Sequence, residues 1–309
     1  MYSRIKKNLF LLTAFLGYVL PFGHMSLWGK IKLNYLNKEV KYCSNLGQKS
    51  YPDKNFMSMF IGFVDGDGYI EIGPQKQYNK SNVIPKSTIR ARLVIRLHER
   101  DTEFIKYLVN VLGVGSISFL KSRNQVRLIF SKKDLSNVII PLINLYELKF
   151  LTYNRNKQYA LLTYIIDNNI KHWENVKFTH CVTIYTEDIL IRLNYFPYWV
   201  VGFTIAEGSF GFKRNKSAFY NIKQKGLINY SIIRAIGLLI TGKVPNEVKP
   251  DSADCYQLTL SSKSDIQKVV NFFSFHNHLL LGYKLKQYEI WLINIKKSSR
   301  YKDTNIPIK

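Results

Sequence analysis

The chain is predicted to be an α+β protein in which an approximate αββαββα unit is used twice, behind a hydrophobic leader. Three observations predict this. An apolar helical turn ending in a glycine-flanked carboxylate occurs twice, as Phe60-Ile61-Gly62-Phe63-Val64-Asp65-Gly66-Asp67-Gly68-Tyr69 and as Val200-Val201-Gly202-Phe203-Thr204-Ile205-Ala206-Glu207-Gly208-Ser209-Phe210. Helix-period and strand-period stretches follow each copy in the same order. Words downstream of the two copies keep a nearly constant separation, the signature of an internal repeat: His98 and Gln224 are 126 apart, Gly115 and Gly242 are 127 apart, and Lys157 and Lys284 are 127 apart. Asp67 and Glu207 are 140 apart, so the excess falls between Asp67 and His98, in a loop over 75–87 that has no counterpart.

Composition sets the bounds. At 309 residues the chain has ample length for a buried core, and its 46% hydrophobic content argues against disorder despite a formal net charge of +24 and a pI of about 9.8. A packed core under a basic surface points to a polyanionic partner, either nucleic acid or an anionic membrane. Cys43, Cys181 and Cys255 are far apart and odd in number and no CxxC occurs, so neither a disulfide framework nor a zinc cluster is suggested. His276-Asn277-His278 has the look of a metal pair, but a lone HxH in a polar turn is more often plain surface.

Residues 8–29 contain no Lys, Arg, Asp or Glu, long enough for a membrane span or a signal peptide behind Arg4, Lys6 and Lys7, although Pro21, Gly23 and His24 interrupt the second half. Residues 30–54 read as a polar linker. The first unit is placed at 55–170. Phe56 to Val64 is predicted as an apolar helix, Tyr69–Ile72 and Arg90–Leu97 as half-exposed strands, and Asp101–Leu112 as an amphipathic helix with an acidic start that suits its dipole. Gly113 and Gly115 end that helix. Ser116–Leu120 and Gln125–Phe130 form a hairpin, and helices at Lys132–Leu145 and Lys157–Ile166 close the unit. After an inter-domain linker at 171–194, the second unit (195–309) repeats the order: a helix to Ala206, strands at 208–213 and 218–224, a helix at 229–240, a hairpin over 243–260, then two helices.

The paired acids carry the chemistry. If the two motif helices pack side by side, Gly62 and Gly202 permit close backbone approach and bring Asp67 and Glu207 together. Two carboxylates held close repel each other unless a divalent cation lies between them, and hard oxygen donors suit Mg²⁺. Such an arrangement is a recurring solution for phosphodiester hydrolysis. A single apolar helix ended by Asp-Gly is an ordinary stop. Two of them in register inside a repeat are not.

Both stretches resemble the LAGLIDADG motif, and the chain from about Phe56 to Ile306 resembles the two-motif, monomeric LAGLIDADG homing endonucleases and maturases of mitochondrial group I introns. Phe104–Ser116, Asn156-Lys-Gln-Tyr159 and Gly282-Tyr-Lys-Leu-Lys-Gln-Tyr288 followed by Trp291 extend the likeness. The resemblance implies two pseudo-symmetric half-domains with saddle-shaped, four-stranded antiparallel sheets over a DNA major groove, and divalent-metal cleavage leaving four-base 3′ overhangs. It implies metal ligation by Asp67 and Glu207 with the carbonyls of Gly66 and Ala206 nearby, polarising basic residues at Lys284 and Lys157, and water-orienting residues at Gln224 and His98. The chain departs from the pattern at Ile205, where the family has an acid matched in the first motif by Asp65; that acid is a structural cap in the family. Thr13 to Trp28 resembles a piece of cytochrome b, as an intron reading frame continuing from an upstream exon would carry.

Arg90, Arg92 and Arg96 are two and four apart and so share one strand face, suited to groove reading. Lys76, Arg127, Lys213, Arg214, Lys216 and Lys223 are further DNA-binding candidates. Two functions are expected to compete: a site-specific endonuclease acting with Mg²⁺ or another divalent cation on double-stranded DNA at the intron insertion site, and a maturase holding the group I intron RNA. Retention of both acids favours the nuclease, because an RNA chaperone needs no metal pair. No small-molecule substrate is expected, and the exon-like leader places the protein in the mitochondrial matrix or, through that leader, at the inner membrane.

Overall fold

The computed structural model describes residues 51–75, 87–179, 183–246, 250, 253–275 and 278–307. The leader, Lys76 and the surrounding loop, Cys43, Cys181, His276 and Asn277 lie outside the described residues. Among the described residues no helix is long and apolar enough to cross a membrane.

The first unit runs α1 (Lys54–Asp67), β1 (Gly68–Gln75), β2 (Thr88–His98), α2 (Thr102–Leu112), β3 (Ser116–Leu120), β4 (Gln125–Phe130), α3 (Lys132–Asp134), a π-helical stretch (Leu135–Ile139), α4 (Ile140–Leu145) and α5 (Tyr153–Asp167). After α6 (Glu187–Arg192) comes the second unit: α7 (Phe196–Glu207), β5 (Ser209–Phe212), β6 (Ala218–Lys225), α8 (Tyr230–Thr241), β7 (Cys255–Leu260), α9 (Lys263–Val270) and α10 (Gly282–Lys297). The first sheet is antiparallel in the order β1-β2-β4-β3, and the second is antiparallel in the order β5-β6-β7. The second sheet thus has three strands among the described residues where four were expected. In place of the fourth, Pro250 makes a lone antiparallel bridge to Tyr256.

The elements follow from local chemistry. Asp53 starts α1 by accepting from the Phe56 amide at 2.7 Å, and Ser131 with Asp134 forms a capping box on α3. α2 and α8 both end on a left-handed glycine, Gly113 (φ 70°) and Gly242 (φ 69°). The structural partner of Gly242 is therefore Gly113, two residues before the expected Gly115. α1 and α7 are apolar nearly all round, because each lies between its own sheet and the other helix. Phe60 packs edge-on against Phe130 of β4, Phe63 against Phe104 of α2, and Trp199 stacks on Phe196 and Phe203. Strand alternation gives each sheet a core face (Leu93, Ile95, Val126, Leu128; Tyr220, Ile222, Leu258, Leu260) and an opposite polar face.

Two boundaries differ from expectation. α5 begins at Tyr153 rather than Lys157, so Tyr153, Asn154 and Arg155 belong to its first turn. The segment 171–194 contains α6, whose Glu187 pairs with Arg234 of α8 at 2.6 Å, and His172 bridges Thr88 at the start of β2.

Candidate active site

The geometry starts from glycine. A Cβ on Gly62 would lie 2.0 Å from the Trp199 carbonyl oxygen, and one on Gly202 would lie 1.8 Å from that of Met59. Only backbone against backbone fits here, so α1 and α7 run in direct contact. At the tip, a Cβ on Gly66 would lie 2.3 Å from the Ala206 Cβ and 3.2 Å from the Glu207 Cγ. The two helix C-termini, and with them Asp67 and Glu207, are thereby brought to one place.

This is an unfavourable place for carboxylates. A helix C-terminus carries partial negative charge, and the last-turn carbonyls, including those of Gly66 and Ala206, lack intrahelical partners. Neither last turn contains a basic residue. Asp67 is pushed up to about 6 by burial, then by the charge of Glu207, with Lys284 opposing. Glu207 is raised by burial, against Lys223, Lys284 and Arg155. Neither carboxylate has a hydrogen bond or ion pair with another described residue.

Each acid opens onto its own cavity, and the two cavities are related by the repeat. The first, about 250 Å³, is lined by Asp67, Asp101, His98, Arg100, Ile205 and Lys284 among others. The second, about 300 Å³, is lined by Glu207, Asn229, Lys225, Gln224, Asp65 and Arg155 among others. Lys284, on α10 of the second unit, donates to the Gly208 carbonyl and faces Asp67 of the first, while burial lowers the pKa of its amine. Arg155, on α5 of the first unit, donates to the Val64 carbonyl at 3.3 Å and faces Glu207 of the second. Asp67 is thus met by a cation from the opposite repeat, and so is Glu207, which Lys223 and Lys284 of its own repeat face more strongly.

Lys157, expected as the partner of Lys284, is exposed and lines neither cavity. The place belongs to Arg155, missed in the sequence although a signal was available. The identical words Lys157-Gln158-Tyr159 and Lys286-Gln287-Tyr288 are 129 apart, which pairs Lys284 with Arg155. Gln158 braces that arginine, accepting from it and from the Ile70 amide, each at 3.1 Å.

His98 and Gln224 do line the two cavities, but they are not equivalent. The β5–β6 register places Ser209 opposite Asn221, and that of β1–β2 places Gly68 opposite Ile95, so Ile95 corresponds to Ile222. Gln224 then corresponds to Leu97 and His98 to Lys225, because a one-residue slip moves a strand residue to the other face. Both side chains are engaged locally: His98 Nδ1 accepts from the Arg100 amide at 3.2 Å and Gln224 Oε1 from the Lys225 amide at 2.8 Å.

Asp65 is a cap. Fully buried, it accepts from the Leu151 and Thr152 amides, the Thr152 hydroxyl and the Trp199 indole N–H, tying the start of α5 to both motif helices. Burial raises it to about 6 even against those bonds. Ile205 has no such role.

The first sheet's polar face carries Arg90, Arg92, Arg96 and Arg127. Glu71, opposite Arg92, pairs with Arg92 at 2.7 Å and Arg90 at 3.2 Å; Arg96 lies over the Tyr69 ring, and Arg127 donates to Ser118 at 3.2 Å. Lys223 is exposed on the polar face of β6, while Lys213, Arg214 and Lys216 occupy the exposed β5–β6 turn, with Lys213 on Ser261.

Among the described residues no group of three or more His, Cys, Asp and Glu side chains could hold a metal. A cation here would rest on two carboxylates with backbone carbonyls. The donor set fits a hard divalent ion: all oxygen, otherwise unengaged, and repulsive without one.

Residues 60–166 match the family profile described as LAGLIDADG endonuclease. Solved structures similar to the chain include the meganuclease I-SmaMI bound to an uncleaved DNA target in the presence of calcium ions, at 18% identity and a TM-score of 0.61, covering 80% of this chain and 92% of that one. The I-LtrWI LAGLIDADG homing endonuclease bound to target DNA is similar at 18% identity and a TM-score of 0.59, covering 81% and 95%. I-CpaMI, a LAGLIDADG meganuclease bound to uncleaved DNA, is 18% identical with a TM-score of 0.59, covering 79% and 92%. The stretch 60–166 thus matches the LAGLIDADG endonuclease family, and the chain has the fold of the LAGLIDADG meganucleases.

Proposed function

We propose that the protein is a site-specific endonuclease that cuts both strands of double-stranded DNA with Mg²⁺ or another divalent cation, and so spreads the group I intron that encodes it. The observation that carries this is the pair of repeat-related cavities at the end of two helices in backbone contact, each with a motif carboxylate that has no hydrogen bond or ion pair to another described residue and with basic side chains in its wall. Asp67 and Glu207, with the carbonyls of Gly66 and Ala206, would hold the ion. When bound, it supplies an activated water and stabilises the leaving oxygen. Lys284 and Arg155 hold positive charge where negative charge builds on the phosphate, an interaction strongest in a partly dry site. His98 and Gln224, one in each cavity, order water there. The DNA would lie along the polar faces of both sheets, with backbone phosphates met by Lys213, Arg214, Lys216 and Lys223, and base edges by Arg90, Arg92, Arg96 and Arg127.

The likeness of Thr13–Trp28 to cytochrome b supports a mitochondrial intron in that gene as the source. The test incubates the protein and its Asp67→Asn/Glu207→Gln double variant, with Mg²⁺, with a plasmid carrying joined cytochrome b exons and with a random duplex library. Cleavage by wild type alone supports the reading. Absence of cleavage of either substrate, alongside tight binding of the intron RNA and faster splicing, would replace it with a maturase.

A further inference from the structure

Asp101 and Asn229 hold matching places in the two repeats, and neither belongs to the paired motifs. Each ends a single 3-10 turn after the second strand of its unit, Glu99–Asp101 and Leu227–Asn229. Each then reaches across to the other unit. Asp101 Oδ1 accepts from the Tyr283 amide at 2.8 Å, in the first turn of α10, and Asn229 Oδ1 accepts from the Tyr153 amide at 3.0 Å, in the first turn of α5. First-turn amides have no partner within their own helix, so these bonds fix where each helix begins.

The two attachments are built up differently. At α10, Arg100 lies 3.7 Å over the Tyr283 ring, and Gly282 adopts φ 63° so close to the first unit that a Cβ would lie 2.9 Å from Asp101 Oδ1 and 3.1 Å from the Phe104 Cβ. At α5, Asn229 is itself held, its amide donating to the Lys225 carbonyl at 2.9 Å. In both cases the cation follows immediately: Lys284 is one residue past Tyr283, and Arg155 is two past Tyr153.

We infer that Asp101 and Asn229 are positioning residues, each fastening the other unit's closing helix so that its cation stands over the local carboxylate. Asp101 brings Lys284 to Asp67, and Asn229 brings Arg155 to Glu207. The inference rests on the endonuclease reading, with each cavity serving one DNA strand. Lysine has a flexible four-carbon stem, so its ammonium is placed only as well as its helix is placed. Since each anchor belongs to one repeat and each cation to the other, a cavity is complete only when both repeats are docked.

The test uses the full chain with Mg²⁺ on a supercoiled plasmid bearing a site that the wild type cuts, with each strand end-labelled separately. Asp101→Ala is expected to slow one strand by about 10- to 100-fold, as a misplacement near 1 Å does, so that nicked circles accumulate. Asn229→Ala is expected to slow the opposite strand, and gives an independent arm if Asp101→Ala does not fold. Asp101→Asn keeps the acceptor, as Asn229 does in the matching place, and is expected to recover most of the lost rate. Equal slowing of both strands, or of neither, overturns the inference. So does an Asp101→Asn variant as slow as Asp101→Ala, which would make the charge of Asp101 the operative feature. Failure of the wild type to cut any site sinks the endonuclease reading itself.

Discussion

The Asp67 cavity and the Glu207 cavity share a plan but not their parts. Beside Asp67 stand a lysine, the charged Asp101 and the apolar Ile205; beside Glu207 stand an arginine, the neutral Asn229 and the buried Asp65. In each repeat one carboxylate meets the start of the closing helix, where partial positive charge favours it. For α5 it comes from the motif, as Asp65, and for α10 it comes from the loop after β2, as Asp101. The loss of the motif acid at Ile205 is offset by an acid elsewhere. What the repeats hold in common is a physical requirement, met from different positions.

The largest expected effect tests whether the acids are equivalent. Asp67→Asn and Glu207→Gln should each lower plasmid linearisation by about 10³-fold, in the range of losing one main electrostatic stabiliser, with melting curves showing intact fold. A much smaller loss for one of them would break the equivalence. Next comes the pair Asp65→Ala and Ile205→Ala in urea unfolding. The first leaves the Trp199, Leu151 and Thr152 donors buried without their acceptor and should cost about 4 kcal/mol. The second removes an apolar side chain at a cavity wall and should cost about 2 kcal/mol.

Acid pH sharpens the contrast. As pH falls through about 6, Asp67 of the metal-free protein takes up a proton that competes with the cation, so cleavage should require more divalent ion. The stability sign is the reverse. Between 3.8 and about 6 the folded protein keeps a proton that the unfolded chain has released, so metal-free protein loses stability as pH rises across that window. Asp67→Asn should reduce that slope in melting temperature, leaving the share that Asp65 and Glu207, also raised by burial, contribute. Towards alkaline pH, Lys284 sheds the proton that burial has loosened while Arg155 keeps its own. One strand should therefore slow before the other, and Lys284→Arg should remove the difference. The smallest expected effect is at Lys157→Ala, within about threefold of wild type, against about tenfold or more for Arg155→Ala.

The repeat, both motif helices and most strand boundaries were legible because helices and strands write their periods directly into the order of apolar residues. The β3–β4 hairpin has the limits read from sequence. Residue-by-residue pairing was harder. All three matched words were displaced by one or two positions, Gly115 for Gly113, His98 for Leu97 and Lys157 for Arg155. An approximate period tolerates such slips, whereas a strand face or a first helical turn does not. Asp101 and Asn229 showed only as helix starts, since what defines them is a hydrogen bond to a residue 182 and 76 positions away respectively. The fourth strand of the second sheet was read from a 243–260 hairpin, of which only the Cys255–Leu260 arm is a strand among the described residues.

The glycine contact between α1 and α7 has one more consequence. With main chain touching main chain at Gly62 and Gly202, the spacing of the two helix ends that carry the acids is set by peptide dimensions. On the endonuclease reading proposed above, the sheets can accumulate substitutions that alter which sequence is read while the helix ends that carry the acids keep their spacing. Recognition would then be free to wander over a scaffold whose spacing is set in the backbone.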